Sequence, residues 1–121
     1  VIMNGQTVDI FNPKTIRATM GSIFRVPFVY VPELSPVLTQ MHEKGIHTYA
    51  AHLKGKEYYD SFSFREPTAF LIGNEGNGLT KEISDQSGQY LKIPMEGKVE
   101  SLNASIAAAL LMYEAHRQRK L

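Results

Sequence analysis

Ala69-Phe70-Leu71-Ile72-Gly73-Asn74-Glu75-Gly76-Asn77-Gly78 joins a short apolar, β-prone run directly to a glycine-rich loop. The run reads as a buried strand. Glycines at 73, 76 and 78 let the main chain turn with positive φ and let a ligand approach bare amides, at a cost in backbone entropy that a plain connecting loop has little reason to carry. Further along, Ile93-Pro94-Met95 leads into Ser101-Leu102-Asn103 at the head of a long helical segment. Both stretches read as ligand loops built from backbone.

Outward from these loops, strand and helix alternate with no repeat and no low-complexity linker. Asn12-Pro13 sets an N-cap before a proline at the first helical position, and Ile16, Met20 and Ile23 share a face, so residues 13–24 are expected to be helical with Gly21 tolerated inside. Residues 28–31 are β-rich, and Val1-Ile2-Met3 reads as the end of another strand. Ser35-Pro36 repeats the cap signal ahead of Val37, Leu38 and Met41, with Gly45 as the stop. Residues 46–53 and 68–72 read as two strands separated by a tyrosine-rich loop, 54–65, and residues 90–93 as the next strand. Residues 103–119 form the best helix, with Ile106, Leu110 and Tyr113 along one stripe and Arg117, Arg119 and Lys120 at the end where the dipole favours cations. Helices recurring between short apolar strands imply an α/β fold, a mostly parallel sheet flanked by helices whose ligands gather at the carboxyl ends of the strands.

At 121 residues the chain suits a single domain with a real core. Its net charge of +1 does not announce nucleic acid, so any RNA contact rests on local clusters. The absence of Cys excludes disulfides, thiolate metal sites and a Cys nucleophile. Neither a signal peptide nor a membrane span is visible, which leads to the expectation of a soluble, cytoplasmic protein. The chain opens at Val1, inside an apolar run, and is expected to be an N-terminally truncated piece of a longer protein.

Because the glycine loop follows a strand, phosphate-loop readings come first. Gly73 and Gly78 have Walker A spacing, but Leu79-Thr80 stands where Lys-Ser/Thr is required, so the cation for the phosphates is missing. The dinucleotide fingerprint fails because Gly73, Gly76 and Gly78 run in the reverse order. In His42-Glu43-Lys44-Gly45-Ile46-His47 the second His comes one residue too late for a zincin helix, and Gly45 interrupts it. His52 and His116 read as isolated surface or packed histidines, and no metal is expected. Asn103-Ala104-Ser105 matches the glycosylation sequon, but a helix start is its better meaning.

What remains is a family pattern. Residues 70–79 as quoted, followed by Leu91-Lys92-Ile93-Pro94-Met95-Glu96-Gly97-Lys98-Val99-Glu100-Ser101-Leu102-Asn103-Ala104-Ser105-Ile106-Ala107, closely resemble the second and third motifs of the SpoU/TrmH-type RNA ribose methyltransferases of the SPOUT superfamily. Residues 11–28 resemble the family's segment ahead of the middle strands. The resemblance implies a C-terminal trefoil knot, a homodimer packed through the knot and last helix, and S-adenosylmethionine bound in the knot, with an rRNA or tRNA ribose 2′-hydroxyl as methyl acceptor. By the same resemblance Gly73, Ile93 and Leu102 contact the cofactor; Met95 and the loop backbone at Asn74 and Gly76 complete the expected cofactor-binding set, and Ser101 and Asn103 at the helix N-terminus, with Glu75 to orient them or the substrate, are the expected catalytic residues. The physical reading agrees. An apolar slot edged with main-chain donors and acceptors suits an adenosine, and polar groups at a helix N-terminus suit a hydroxyl losing its proton.

One departure stands out. The family's first motif pairs an Asn with an Arg thought to help deprotonate the ribose hydroxyl, and this chain lacks it; Asn12 and Arg17 do not have its spacing, so the role is not carried to Arg17. The chain alone is therefore expected to transfer methyl groups at or near background. The alternative function is a non-catalytic, dimerising RNA-binding module that retains the knotted fold.

Overall fold

The computed structural model describes residues 1–74, 76–99 and 101–120, which divide into two compact units, Val1–Pro36 and Val37–Leu121. In the first unit β1 (Ile2–Met3) pairs in parallel with β2 (Val29–Tyr30), Ile2 opposite Val29. The Tyr30 hydroxyl accepts from the Ile10 amide at 2.9 Å and donates to the Val8 carbonyl at 3.0 Å, pinning the segment between strand and helix. Asn12 caps α1 (Pro13–Ala18) by accepting from the Lys14 amide, with Pro13 in the first turn as expected. That helix ends earlier than its apolar spacing suggests. Met20 and Gly21 take φ of 48° and 87°, so Gly21 breaks the helix instead of riding within it, and a separate 3₁₀ turn, Ser22–Phe24, follows.

Helix α2 (Ser35–Glu43) ends in a Schellman motif, as Gly45 implies: the Ile46 amide donates to the Met41 carbonyl and the Gly45 amide to His42. The second unit's sheet has the order β4-β3-β5, built from β3 (His47–Ala51), β4 (Thr68–Leu71) and β5 (Gln89–Leu91), and both pairings are parallel. The register sets Ala50 opposite Leu71 and Ala51 opposite Leu91, so the three strands finish together along one edge. Buried Thr48 is satisfied on two sides, its hydroxyl 2.8 Å from both the Gly88 amide and His42 Nε2.

The core gathers Tyr49, Phe64, Leu91, Leu111 and Ala115. Phe64 meets Tyr49 and Phe70 edge to face at centroid distances of 5.1 and 5.0 Å, the geometry the aromatic quadrupole favours. Fully buried Phe64 lies in the segment expected to be plain loop, which contains a 3₁₀ turn, Tyr59–Ser61, and runs beside β5 through a Tyr58–Lys92 bridge. What holds it is α4 (Ala104–Lys120). Gln118 accepts from the Phe64 amide at 2.7 Å and donates to the Phe62 carbonyl at 3.0 Å, while Arg119 Nε donates to the Phe64 carbonyl at 2.9 Å. The helix turns Leu111 and Ala115 inward, and the stripe read from spacing, Ile106, Leu110 and Tyr113, faces out, with Tyr113 74% exposed. A short helix unread in the sequence, α3 (Lys81–Gln86), is capped by Thr80, whose hydroxyl accepts from the Ile83 amide.

Glu114 anchors this lacing. Its carboxylate accepts from Arg117 and from Gln118, which together pull its pKa from 4.5 down to about 2. A carboxyl held low by native partners contributes stability above its unfolded value and loses it as pH falls toward the folded one. Acid titration of the melting temperature is expected to show a decline between 4.5 and about 2 that is shallower in Glu114→Gln. Identical slopes in the two proteins would contradict it.

Candidate functional site

Three parallel strands ending on one edge deliver three loops to one place, and the head of α4 closes the fourth side. His52 and Leu53 follow β3, residues 72–74 and 76–79 follow β4, Lys92, Ile93 and Met95 follow β5, and Ser101, Leu102, Ala104 and Ala107 come from the entry to α4. Together they line a cavity of about 410 Å³, within the range of about 300–1,000 Å³ that small-molecule sites occupy. Ala51, Ile72, Leu79, Ile93, Met95 and Leu102 give it apolar walls. His52, Asn74, Asn77, Lys92, Ser101 and the glycine main chain supply the polar edge.

Gly73 is required by close packing. A Cβ there would stand 2.3 Å from both the carbonyl carbon of Gly78 and the amide of Leu79, so the start and end of the loop touch where a side chain would be. Asn74 and Gly78 exchange backbone hydrogen bonds at 2.7 and 3.3 Å and close the loop. The Asn74 side chain folds onto the same loop, its Oδ1 accepting from the Gly76 amide at 2.7 Å. Asn74 thus lines the cavity while its oxygen shapes the loop.

Of the residues singled out in the sequence, Gly73, Asn74, Gly76, Ile93, Met95, Leu102 and Ser101 all line this one cavity. Asn103 does not. It caps α4, with Oδ1 accepting from the Ser105 amide at 2.9 Å and the Ile106 amide at 3.3 Å. Glu75 lies outside the described residues. Sequence reasoning missed the β3 loop: His52, set aside as an isolated histidine, stands on the cavity wall, stacked on Tyr90 with centroids 4.8 Å apart. The signal was available, since a ligand at the strand ends of a parallel sheet must meet the loop of the central strand. Behind the stack, the Tyr90 hydroxyl donates to Asp85 at 3.1 Å, and Lys81 donates to the same carboxylate at 2.6 Å. Lys81 first and Tyr90 second hold the Asp85 carboxyl below its ordinary range.

Apolar walls, a bare main-chain edge and a helix N-terminus suit a flat heterocycle carrying polar substituents. Among the described residues no cluster of three metal-ligating side chains occurs, and no helix is long and apolar enough to cross a membrane.

Residues 1–113 match the SpoU rRNA Methylase family. YacO of Bacillus subtilis (strain 168), a TrmH family tRNA/rRNA methyltransferase by name, is 38% identical over 103 residues, covering 85% of this chain and 41% of the relative. The 23S rRNA (uridine(2479)-2'-O)-methyltransferase of Streptomyces viridochromogenes is 35% identical over 124 residues, covering 98% of this chain and 43% of the relative. The crystal structure of the SpoU methyltransferase AviRb from Streptomyces viridochromogenes, solved with its cofactor AdoMet, superposes with a TM-score of 0.89 at 35% identity, over 98% of this chain and 49% of that one. An AdoMet-bound rRNA methyltransferase from Sinorhizobium meliloti gives a TM-score of 0.85 at 33% identity, over 96% of this chain and 44% of that one. The chain thus spans less than half the length of these relatives.

Proposed function

We propose, from the premise that this chain belongs to the SpoU rRNA Methylase family, that it forms the S-adenosylmethionine-binding part of an RNA ribose 2′-O-methyltransferase acting on rRNA or tRNA. The observation that carries this reading is the convergence of three strand-end loops and the head of α4 on one cavity of about 410 Å³. The residues present fit the cofactor. Gly73 lets the two ends of the glycine loop touch and presents bare main chain to the cavity, and Ile93, Met95 and Leu102 offer an apolar slot for the adenosine. When bound, S-adenosylmethionine supplies an electrophilic sulfonium methyl group. The chain's own residues bind and orient: Gly73, Asn74, Gly76, Ile93, Met95 and Leu102 hold the cofactor, while Ser101 and Asn103 at the N-terminus of α4 favour negative charge building on a ribose hydroxyl. Glu75 takes the orienting role in this assignment. The acceptor for the hydroxyl proton is assigned to none of these residues, nor to Arg17.

Isothermal titration tests the binding half. S-adenosylhomocysteine is expected to bind and ATP to give no heat, because the loop lacks the lysine that triphosphate recognition needs. Binding of ATP without S-adenosylhomocysteine would overturn the assignment.

The reading extends to assembly. Residues 1–121 form one methyltransferase domain whose C-terminal stretch threads a trefoil knot, and two copies pack through α4. Support comes from the apolar side chains left on the outer face of that helix, Ile106, Met112 and Tyr113 among them. Light scattering behind a sizing column is expected to give a dimer mass, and a monomer at high micromolar concentration would contradict it.

A further inference from the structure

His52 is the first residue after β3, and its ring is fixed before any ligand arrives. The Lys54 amide donates to Nδ1 at 3.0 Å, and the ring stacks on Tyr90 with 15° between the planes. Tyr90 is itself held from its far end by Asp85, which Lys81 holds in turn. An imidazole whose Nδ1 accepts an N–H carries its proton on Nε2, so the neutral ring keeps one N–H donor for another partner. Among the described residues that Nε2 has no partner. A donor with restrained orientation on the wall of a largely apolar cavity is a specific recognition element, because little ordering is left to lose when an acceptor comes.

We propose that His52 is a ligand-binding residue of this site, donating from Nε2 to an acceptor atom of bound S-adenosylmethionine, with Tyr90 as the residue that positions it. The inference rests on the cofactor assignment above and adds to it a side-chain contact from the β3 loop. Tyr90 is not part of the cavity lining, so its influence runs through the imidazole.

Titration of S-adenosylhomocysteine into the wild type and variants, each checked for a cooperative melt, tests the contact. His52→Phe keeps a ring against Tyr90 and removes the donor; it is expected to bind about three- to twelvefold more weakly, the worth of one hydrogen bond. His52→Gln retains an N–H donor and is expected to bind within about twofold of wild type. Tyr90→Leu weakens binding in the wild-type background and changes nothing further beside His52→Phe, an outcome that a merely structural tyrosine would not give. Wild-type affinity in His52→Phe overturns the proposal, as does an equal loss in His52→Gln. Additive effects of Tyr90→Leu and His52→Phe overturn the positioning role. Failure of the wild type to bind S-adenosylhomocysteine would remove the cofactor assignment itself, a result distinct from all of these.

Discussion

Gly73→Ala is expected to cut S-adenosylhomocysteine affinity by about tenfold to a hundredfold while the chain still melts cooperatively. The added Cβ would meet the main chain of Gly78 and Leu79 at 2.3 Å, closer than any real Cβ contact, and backbone cannot swing aside as a flexible side chain can. Relieving the overlap means opening the Asn74–Gly78 closure, and overpacking of this kind typically costs about 1–3 kcal/mol. That strain falls on the wall of the cavity, so it is read in binding; each 1.4 kcal/mol is about tenfold. Gly5→Ala supplies the control. A Cβ at Gly5 meets nothing within 4 Å, so this variant is expected to bind as the wild type does. Undiminished affinity in Gly73→Ala would show that the glycine loop is not where the ligand sits.

The parts of this molecule legible in its sequence are those whose signals are local. Asn12-Pro13 and Gly45 announce caps because a cap is made by adjacent residues, and the structure places those hydrogen bonds where they were expected. The glycine loop and Ile93-Pro94-Met95 were legible for the same reason, and that both line one cavity follows once the strands before them run parallel. Residues whose roles depend on partners far along the chain were not legible. Phe64 sits in a polar segment with no strand or helix period, and what makes it core is its contact with Tyr49 and Phe70 and the grip of Gln118, which is 54 residues away. Which face of α4 enters the core is settled the same way, by partners far along the chain. Ile106, Leu110 and Tyr113 form the apolar stripe that spacing shows, and it is Leu111 and Ala115 that join Tyr49, Phe64 and Leu91 in the core. His52 was passed over because an isolated histidine carries no pattern; its significance lies in Tyr90, which the sheet register alone brings beside it.

Asn103→Asp separates the cap from the chemistry. In the structure Asn103 Oδ1 accepts from the amides of Ser105 and Ile106, so an alanine here would lose the cap and typically cost about 0.5–2 kcal/mol, confounding any loss of activity. Aspartate caps a helix as well as asparagine does, and its charge suits the positive end of α4. The melting temperature of Asn103→Asp is therefore expected to equal or exceed that of the wild type. In the proposed role, the substitution removes the amide NH₂ and adds a negative charge where the ribose oxygen must itself become more negative as it attacks. Losing one donor to a developing oxyanion costs about 10²–10³ in kcat. The intact gene product carrying Asn103→Asp is expected to transfer labelled methyl groups to RNA at a rate reduced by at least that factor of about 10². S-adenosylhomocysteine affinity should change little, since Asn103 is not part of the cavity lining. Methylation at the wild-type rate would confine Asn103 to its capping role and move the search for the group facing the hydroxyl to Ser101 and Glu75. Inactivity of the unsubstituted gene product on every cellular RNA tested would instead favour a binding module, in which α4 keeps its cap and the site performs no transfer.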